Sequence, residues 1–353
     1  MTTNRKVYCF VSNLSFNEEP TVKNRLSPYI KKLNEKGFKV ILVSRDSKPI
    51  NNFDDNLFLH ISHPEKKNRP CSFLKRAIFE WSDTRKLLKK LHDLKCDLII
   101  LSIPSMFLLF NSYILKNKKL ALDVRDLTWE YLENNKLSEL FTKLFLRIIA
   151  SKSYKNFSSI IVNNHTEVEY FKRKKLNTLL YANGVSEEQY RELSTLPKKK
   201  NKKFTVSYVG KVGIAQNLET LIYAAELIKD VQFNIVGHGS EYERLQNLIL
   251  TKKLTNISCH GLVNWKKVLF FYRESDVLYA QLKNNFSGAV PSKLYQYLNS
   301  KRFIIYGGGC EAKKTLSNFS HNVVIPPCDV NKLVKTIKIA RNVCNQELNF
   351  NNN

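Results

Sequence analysis

Lys293 and Gln296 stand three residues apart, directly behind Pro291 and Ser292 and after Ser287 and Gly288. Proline suits the first turn of a helix, so this stretch predicts a polar loop turning into a helix. A helix start is an anion site, because backbone N–H groups and the positive end of the dipole point outward. Lys293 adds a full charge there. Gln296 falls on the same helical face, and its amide can hydrogen-bond hydroxyls. A phosphate grip beside a hydroxyl reader is the chemistry of a nucleotide-sugar site. The competing reading is an ordinary helix start, with Leu294, Tyr297 and Leu298 forming a buried face.

Two further turns carry the same signature of strand, glycines, helix. Gly210, Lys211 and Gly213 form one, where the glycines let the backbone approach a diphosphate and the lysine neutralises it. Gly237 and Gly239 form the other. Glycines at strand ends also occur for steric reasons alone. Asp123, Arg125 and Asp126 follow a predicted strand. Asp126 can accept a proton or orient a sugar hydroxyl, and Arg125 can hold a phosphate through its planar fork. The alternative pairs Arg125 with Asp123 or Asp126 in a structural ion pair. His165 also follows a strand, and reads as a surface or packed residue.

These residues need elements to carry them. Strand-length apolar runs at 7–11, 39–44, 56–60, 97–102, 119–123 and 159–163 alternate with helical spacing at 21–36, 71–94 and 138–155. A lysine-rich run at 197–203 reads as a linker. Behind it the alternation restarts, with strands at 204–209, 232–236, 257–260, 277–280, 303–305 and 323–326 and a last helix at 329–343. Repeated strand–helix units imply parallel sheets covered on both faces. The expected organisation is a first domain over 1–196, a linker over 197–203, a second domain over 204–343 and a disordered tail over 344–353. Two doubly wound domains make a cleft, and such sheets bind ligands at the carboxyl ends of their strands.

The bulk properties narrow the function. The 353 residues are 43% hydrophobic and carry a formal charge of +26. No apolar run reaches the length of a membrane span. The seven cysteines have no zinc-ligand spacing, so neither a metal nor a bound cofactor is expected. The positive charge is spread over both halves, and nothing matches a nucleic-acid-binding motif. The charge then points to polyphosphate substrates or an anionic membrane face.

The order of segments resembles the GT-B glycosyltransferases of family 4, especially the WbuB-type branch of bacterial surface-polysaccharide transferases. The matching pieces run from Asp123–Trp129 through Ala182–Val185, Val209–Gln216, Val236–Gly239, Ser275–Val277, Val290–Tyr295, Tyr306–Gly309 with Glu311 and Ala312, to Ile325–Asp329. The resemblance implies an α/β fold of two Rossmann-like domains. It implies a nucleotide-sugar donor, UDP-linked, on the second domain, an acceptor on the first, and no metal. Lys211, Ser292 and Lys293 then face the diphosphate, and Gln296 takes the place of the family's ribose-reading glutamate. The partner glutamate of that family motif falls near Ser287 or Gly288 and is absent, as is the second basic residue of the first glycine loop, near Gln216. The family's glycine-rich loop after the first strand is replaced by Asn13–Glu19.

The expected function is transfer of a hexosyl or N-acetylhexosaminyl group, with retention favoured, to a lipid-linked or oligosaccharide acceptor of a capsule, O-antigen or lipooligosaccharide. A non-catalytic partner subunit and a GT-B sugar-nucleotide epimerase are the alternatives. The protein is expected in the cytoplasm, peripheral on the inner membrane face, docked through the basic, apolar helices at 71–95 and 138–155.

Overall fold

The computed structural model describes residues 5–50, 53–64, 73–103, 105–125, 127–131, 137–197, 203–286 and 289–350. The chain divides into two compact units, Met1–Asn183 and Gly184–Asn353. The first contains β1 (Val7–Ser12), α1 (Pro20–Glu35), β2 (Lys39–Ser44), β3 (Phe58–Ser62), α2 (Phe73–Leu91), β4 (Leu98–Ile103), α3 (Met106–Phe110), β5 (Leu120–Val124), α4 (Leu137–Ser153), β6 (Ser159–Val162), α5 (His165–Arg173) and β7 (Thr178–Leu180). The second contains α6 (Glu187–Ser194), β8 (Thr205–Val209), α7 (Glu219–Leu227), β9 (Gln232–Val236), α8 (Tyr242–Thr251), β10 (Ile257–Cys259), α9 (Trp265–Arg273), β11 (Val277–Gln281), α10 (Ser292–Asn299), β12 (Phe303–Gly307), α11 (Cys310–Leu316), β13 (Asn322–Ile325) and α12 (Val330–Phe350).

Both sheets are parallel throughout. Their orders are β3-β2-β1-β4-β5-β6-β7 and β10-β9-β8-β11-β12-β13. Strands buried on both faces need near-continuous apolar runs, which is why β2, β5, β8 and β12 were legible from composition. In the first unit α1 covers one face, where Val22, Leu26 and Ile30 pack with Phe10 and Leu42. Helices α2, α3 and α4 contribute to the other, where Leu87, Leu108 and Ala150 pack with Leu101 and Leu122. Strand order reverses between β1 and β4 and between β8 and β11. Open α/β sheets bind ligands beside such switch points.

The structure corrects the boundaries in three places. Residues 184–196 belong to the second unit: Leu193 is buried with Val209 and Leu278, and the Trp265 indole donates to Glu192 at 2.6 Å. The lysine run is therefore not where the units divide, although 198–202 themselves lie outside the described residues. The third strand begins at Phe58, not Asn56. The tail expected from residue 344 is helical to Phe350, as part of α12.

Candidate functional site

Helix α10 carries the strongest site features, and a tyrosine sets its position. Only Val277 and Leu278 of β11 are in register with β8, opposite Val206 and Ser207. Beyond them the Tyr297 hydroxyl takes up the bonding between these strands. It accepts from the Val209 amide at 2.8 Å, and lies 3.1 Å from the Val209 carbonyl and 3.3 Å from the Tyr279 carbonyl. Burial pushes the Tyr297 phenol up, so it remains a neutral hydrogen-bonding group. This fixes the start of α10 beside the switch point, one turn before Tyr297.

No side chain caps that start; Pro291 is the N-cap. Lys293 lies in the first turn. Its ammonium donates to Gln296 Oε1 at 3.0 Å, which is its one hydrogen-bond partner among the described residues. Burial pushes Lys293 down to about 8. A desolvated cation held only by a neutral amide favours any anion that reaches it.

Gln296 is engaged through its carbonyl oxygen. It is buried, and its Oε1 also accepts from the Tyr272 hydroxyl at 2.9 Å. It orients Lys293, and that carbonyl oxygen already has two donors. Ser292 opens α10 as expected. Ser287 and Gly288 lie outside the described residues.

The two glycine turns divide. Lys211 is exposed, and its carbonyl accepts from the buried Tyr208 hydroxyl at 2.6 Å. Several amides of the loop around it are already taken. The Gly210 amide goes to Val236 O, the Val212 amide to His238 O, and the Gly213 amide to Gln216 Oε1. Gly237 and Gly239 have a steric reason. A Cβ at Gly237, where φ is +129°, would lie 1.8 Å from Gly210 O, and one at Gly239 would lie 2.2 Å from Val212 O. They let the loops after β8 and β9 touch.

Sequence reasoning missed the residues that hold these loops together. Buried Gln281, at the end of β11, accepts from Tyr279 and from the Cys328 amide, both at 2.7 Å. Its Nε2 donates to the carbonyls of Gln216 and Asn217 at 3.0 Å each. Hydroxyls of Tyr208, Tyr272, Tyr279 and Tyr297 thus each tie down one segment of the site. Tyr208 and Tyr279 lie within β8 and β11, and Tyr272 and Tyr297 within α9 and α10, so no shared sequence pattern marks the four.

In the first unit Arg125 follows β5. It donates to Thr21 Oγ1 at the start of α1 at 2.6 Å, and its carbonyl accepts from Asn163 Nδ2 at 2.8 Å. Asp123 is fully buried; its partners are Arg25 at 2.6 Å and Ser102 at 2.9 Å, not Arg125. Of the two structural pairings open to Arg125, the one with Asp123 is therefore replaced by Arg25–Asp123. Asp126 lies outside the described residues. His165 opens α5 on the surface. The loop that replaces the glycine-rich turn is closed by Asp46. Burial raises that carboxyl, but donors Ser44 Oγ, the Phe16 and Asn17 amides and Ser15 Oγ outweigh burial and hold it below the usual range. No group of three or more potential metal ligands occurs among the described residues.

Residues 190–352 match the family model of glycosyl transferases group 1. No curated protein matches the chain. Among solved structures, sucrose-phosphate synthase from Thermosynechococcus elongatus aligns at 16% identity and a TM-score of 0.72, covering 95% of this chain and 89% of that one. HepE from Anabaena, solved with UDP and glucose, aligns at 14% identity and a TM-score of 0.66, covering 96% and 94%. WaaG, a glycosyltransferase involved in lipopolysaccharide biosynthesis, aligns at 12% identity and a TM-score of 0.67, covering 94% and 90%. The fold is GT-B. The segment that matches the group 1 model contains both glycine turns and all of α10, so in this GT-B chain the candidate donor residues fall within the matched domain.

Proposed function

We propose that this protein is a glycosyltransferase of the WbuB-type branch, moving a sugar from a UDP-linked donor to a lipid-linked saccharide acceptor in bacterial surface-glycan synthesis. The observation that carries the reading is Lys293, a desolvated ammonium at an uncapped helix start with no carboxylate to balance it among the described residues. A nucleoside diphosphate supplies that balance. Its charge grows as the sugar leaves, so a positive potential fixed in advance lowers the barrier. Lys293 and the first-turn amides of α10 provide the potential, and exposed Lys211 adds to it. Arg125 and Asp126 are the acceptor-side candidates, Asp126 as the group that takes the acceptor proton. HepE was solved with UDP and WaaG belongs to lipopolysaccharide biosynthesis; both support the choice of donor and acceptor class. Retention of the anomeric configuration is the course we favour.

Calorimetric titration tests the donor half. UDP should bind the full chain more tightly than uridine, and Lys293→Met should close most of that gap. Equal affinity for UDP and uridine in the wild type would remove the diphosphate from the reading.

A further inference from the structure

Helix α4 presents its side chains the wrong way round for water. Leu137, Leu140, Phe141, Leu144, Phe145 and Ile148 recur at helical spacing on one face, each between 47% and 75% exposed. The residues α4 buries are Lys143, Ala150 and Ser153. Lys143 turns inward to donate to the Glu130 carbonyl at 2.8 Å. A helix on a water-soluble surface buries its apolar stripe, and a contiguous exposed stripe of this size marks an interaction surface. The ridge extends over roughly 16 Å at 1.5 Å per residue.

The ridge ends in cations. A depression of about 320 Å³ is lined by Arg147, Ile148, Ser151, Lys152 and Lys155. Lys174 of the loop after α5 reaches Ser151 Oγ at 3.3 Å. Lys152, Lys155 and Lys174 are exposed, and Arg147 is shared with Glu130. Apolar side chains continuing into a basic depression match one occupant, the boundary of an anionic bilayer, with acyl chains against the ridge and headgroup phosphate in the depression. No helix among the described residues is long and apolar enough to cross a membrane, so α4 would lie along the surface. Helix α2 has the opposite polarity. Its Leu87, Leu88 and Leu91 are in the core while Lys86, Lys89 and Lys90 face solvent, although Ile78 and Trp81 are exposed near its start.

We infer that the outer face of α4, with the depression at Lys152 and Lys155, is the surface by which this protein docks on anionic phospholipid. This deepens the reading of a lipid-linked acceptor by naming the face that meets the bilayer. The test is flotation of the full chain with phosphatidylglycerol–phosphatidylethanolamine vesicles. The triple variant F141Q, L144Q, F145Q keeps helix-forming residues at exposed positions, so its fold is checked by an unchanged circular dichroism melt. It should lose at least ~30-fold in partitioning. K152E with K155E should lose at least ~10-fold at low salt. K86E, K89E, K90E on α2 should lose less than either. Wild-type flotation of the ridge variant, or a larger loss from the α2 variant, overturns the assignment. So does sedimentation showing that the ridge holds two copies of the chain together while vesicles go unbound. UDP titration of the ridge variant separates the two readings: its affinity should match the wild type. A wild type that floats but binds no UDP would sink the donor assignment and leave the docking face standing.

Discussion

The two sheets share one topology, but charge is handled differently where their strands end. In the first unit the buried carboxylates have partners: Asp123 has Arg25 and Ser102, Asp83 has Arg45, Asp46 has four donors, and Glu167 accepts from the Asn163 amide. In the second, neutral groups hold the loops around Lys293, although buried Glu311 behind β12 has Lys314 at 4.0 Å. Tyrosine hydroxyls and two glutamines fix those loops, and Lys293 has only an amide among the described residues. Satisfied ion pairs make a rigid edge. Lys293 has no counter-charge among the described residues, and under the proposed function the diphosphate would supply it.

Breaking one pair in the first unit should give the largest effect. Asp123→Ala leaves Arg25 buried and uncompensated, which costs about 3–5 kcal/mol in urea unfolding, with UDP affinity per folded molecule unchanged. An Asp123→Ala protein as stable as the wild type would undo the distinction. Lys293→Met is the mirror experiment. UDP affinity should drop about ten- to a hundredfold, the worth of a charge-assisted contact of roughly 1.5–3 kcal/mol, while the thermal midpoint does not fall. A midpoint that drops as in Asp123→Ala would make Lys293 structural.

Tyr297→Phe should come next. It leaves the Val209 amide buried without its partner, at a cost of about 1–3 kcal/mol. It should also weaken UDP several-fold by loosening α10, read by denaturation and calorimetry on the same sample. The smallest effect is in pH. With Lys293 near 8 in the folded chain and ~10.4 in the unfolded one, the unfolded chain holds more protons between these values. The contribution of Lys293 to stability then rises with pH across that window. UDP needs the protonated form, so affinity should be level below pH 8 and fall by up to about tenfold per unit above it. Gln296→Glu supplies the missing carboxylate and should move that break to higher pH. The same break in both proteins would show that another group titrates.

Most of the fold was legible because parallel strands buried on both faces must be apolar runs, as in β2 and β12. The third strand slipped by two residues because its burial is partial, and β7 went unseen because three half-exposed residues carry no pattern. Lysines at 197–203 suggested a linker, but charge density says nothing about which side Leu193 packs on. The positions of Lys293 and Ser292 were legible from helix-start chemistry. Gln296 was placed on the face of Lys293, but spacing shows a face and not the two donors that reach its oxygen. Periodicity failed in the same way at α4: it revealed an apolar stripe and was silent about whether the stripe points in or out. Gly237 and Gly239 serve a close approach of backbone to backbone, which leaves the same residue in sequence as a close approach to phosphate.

The placement of α6 decides where this chain can be divided. Glu192, Leu193 and Pro197 engage Trp265, the core beside Val209, and Arg302. A gene fragment opened at residue 204, after the lysines, would discard those partners and bare a hydrophobic seam. A fragment opened at 184 keeps them. The shorter piece should precipitate where the longer one stays in solution, and any effort to express the second unit by itself should begin twenty residues earlier than composition recommends.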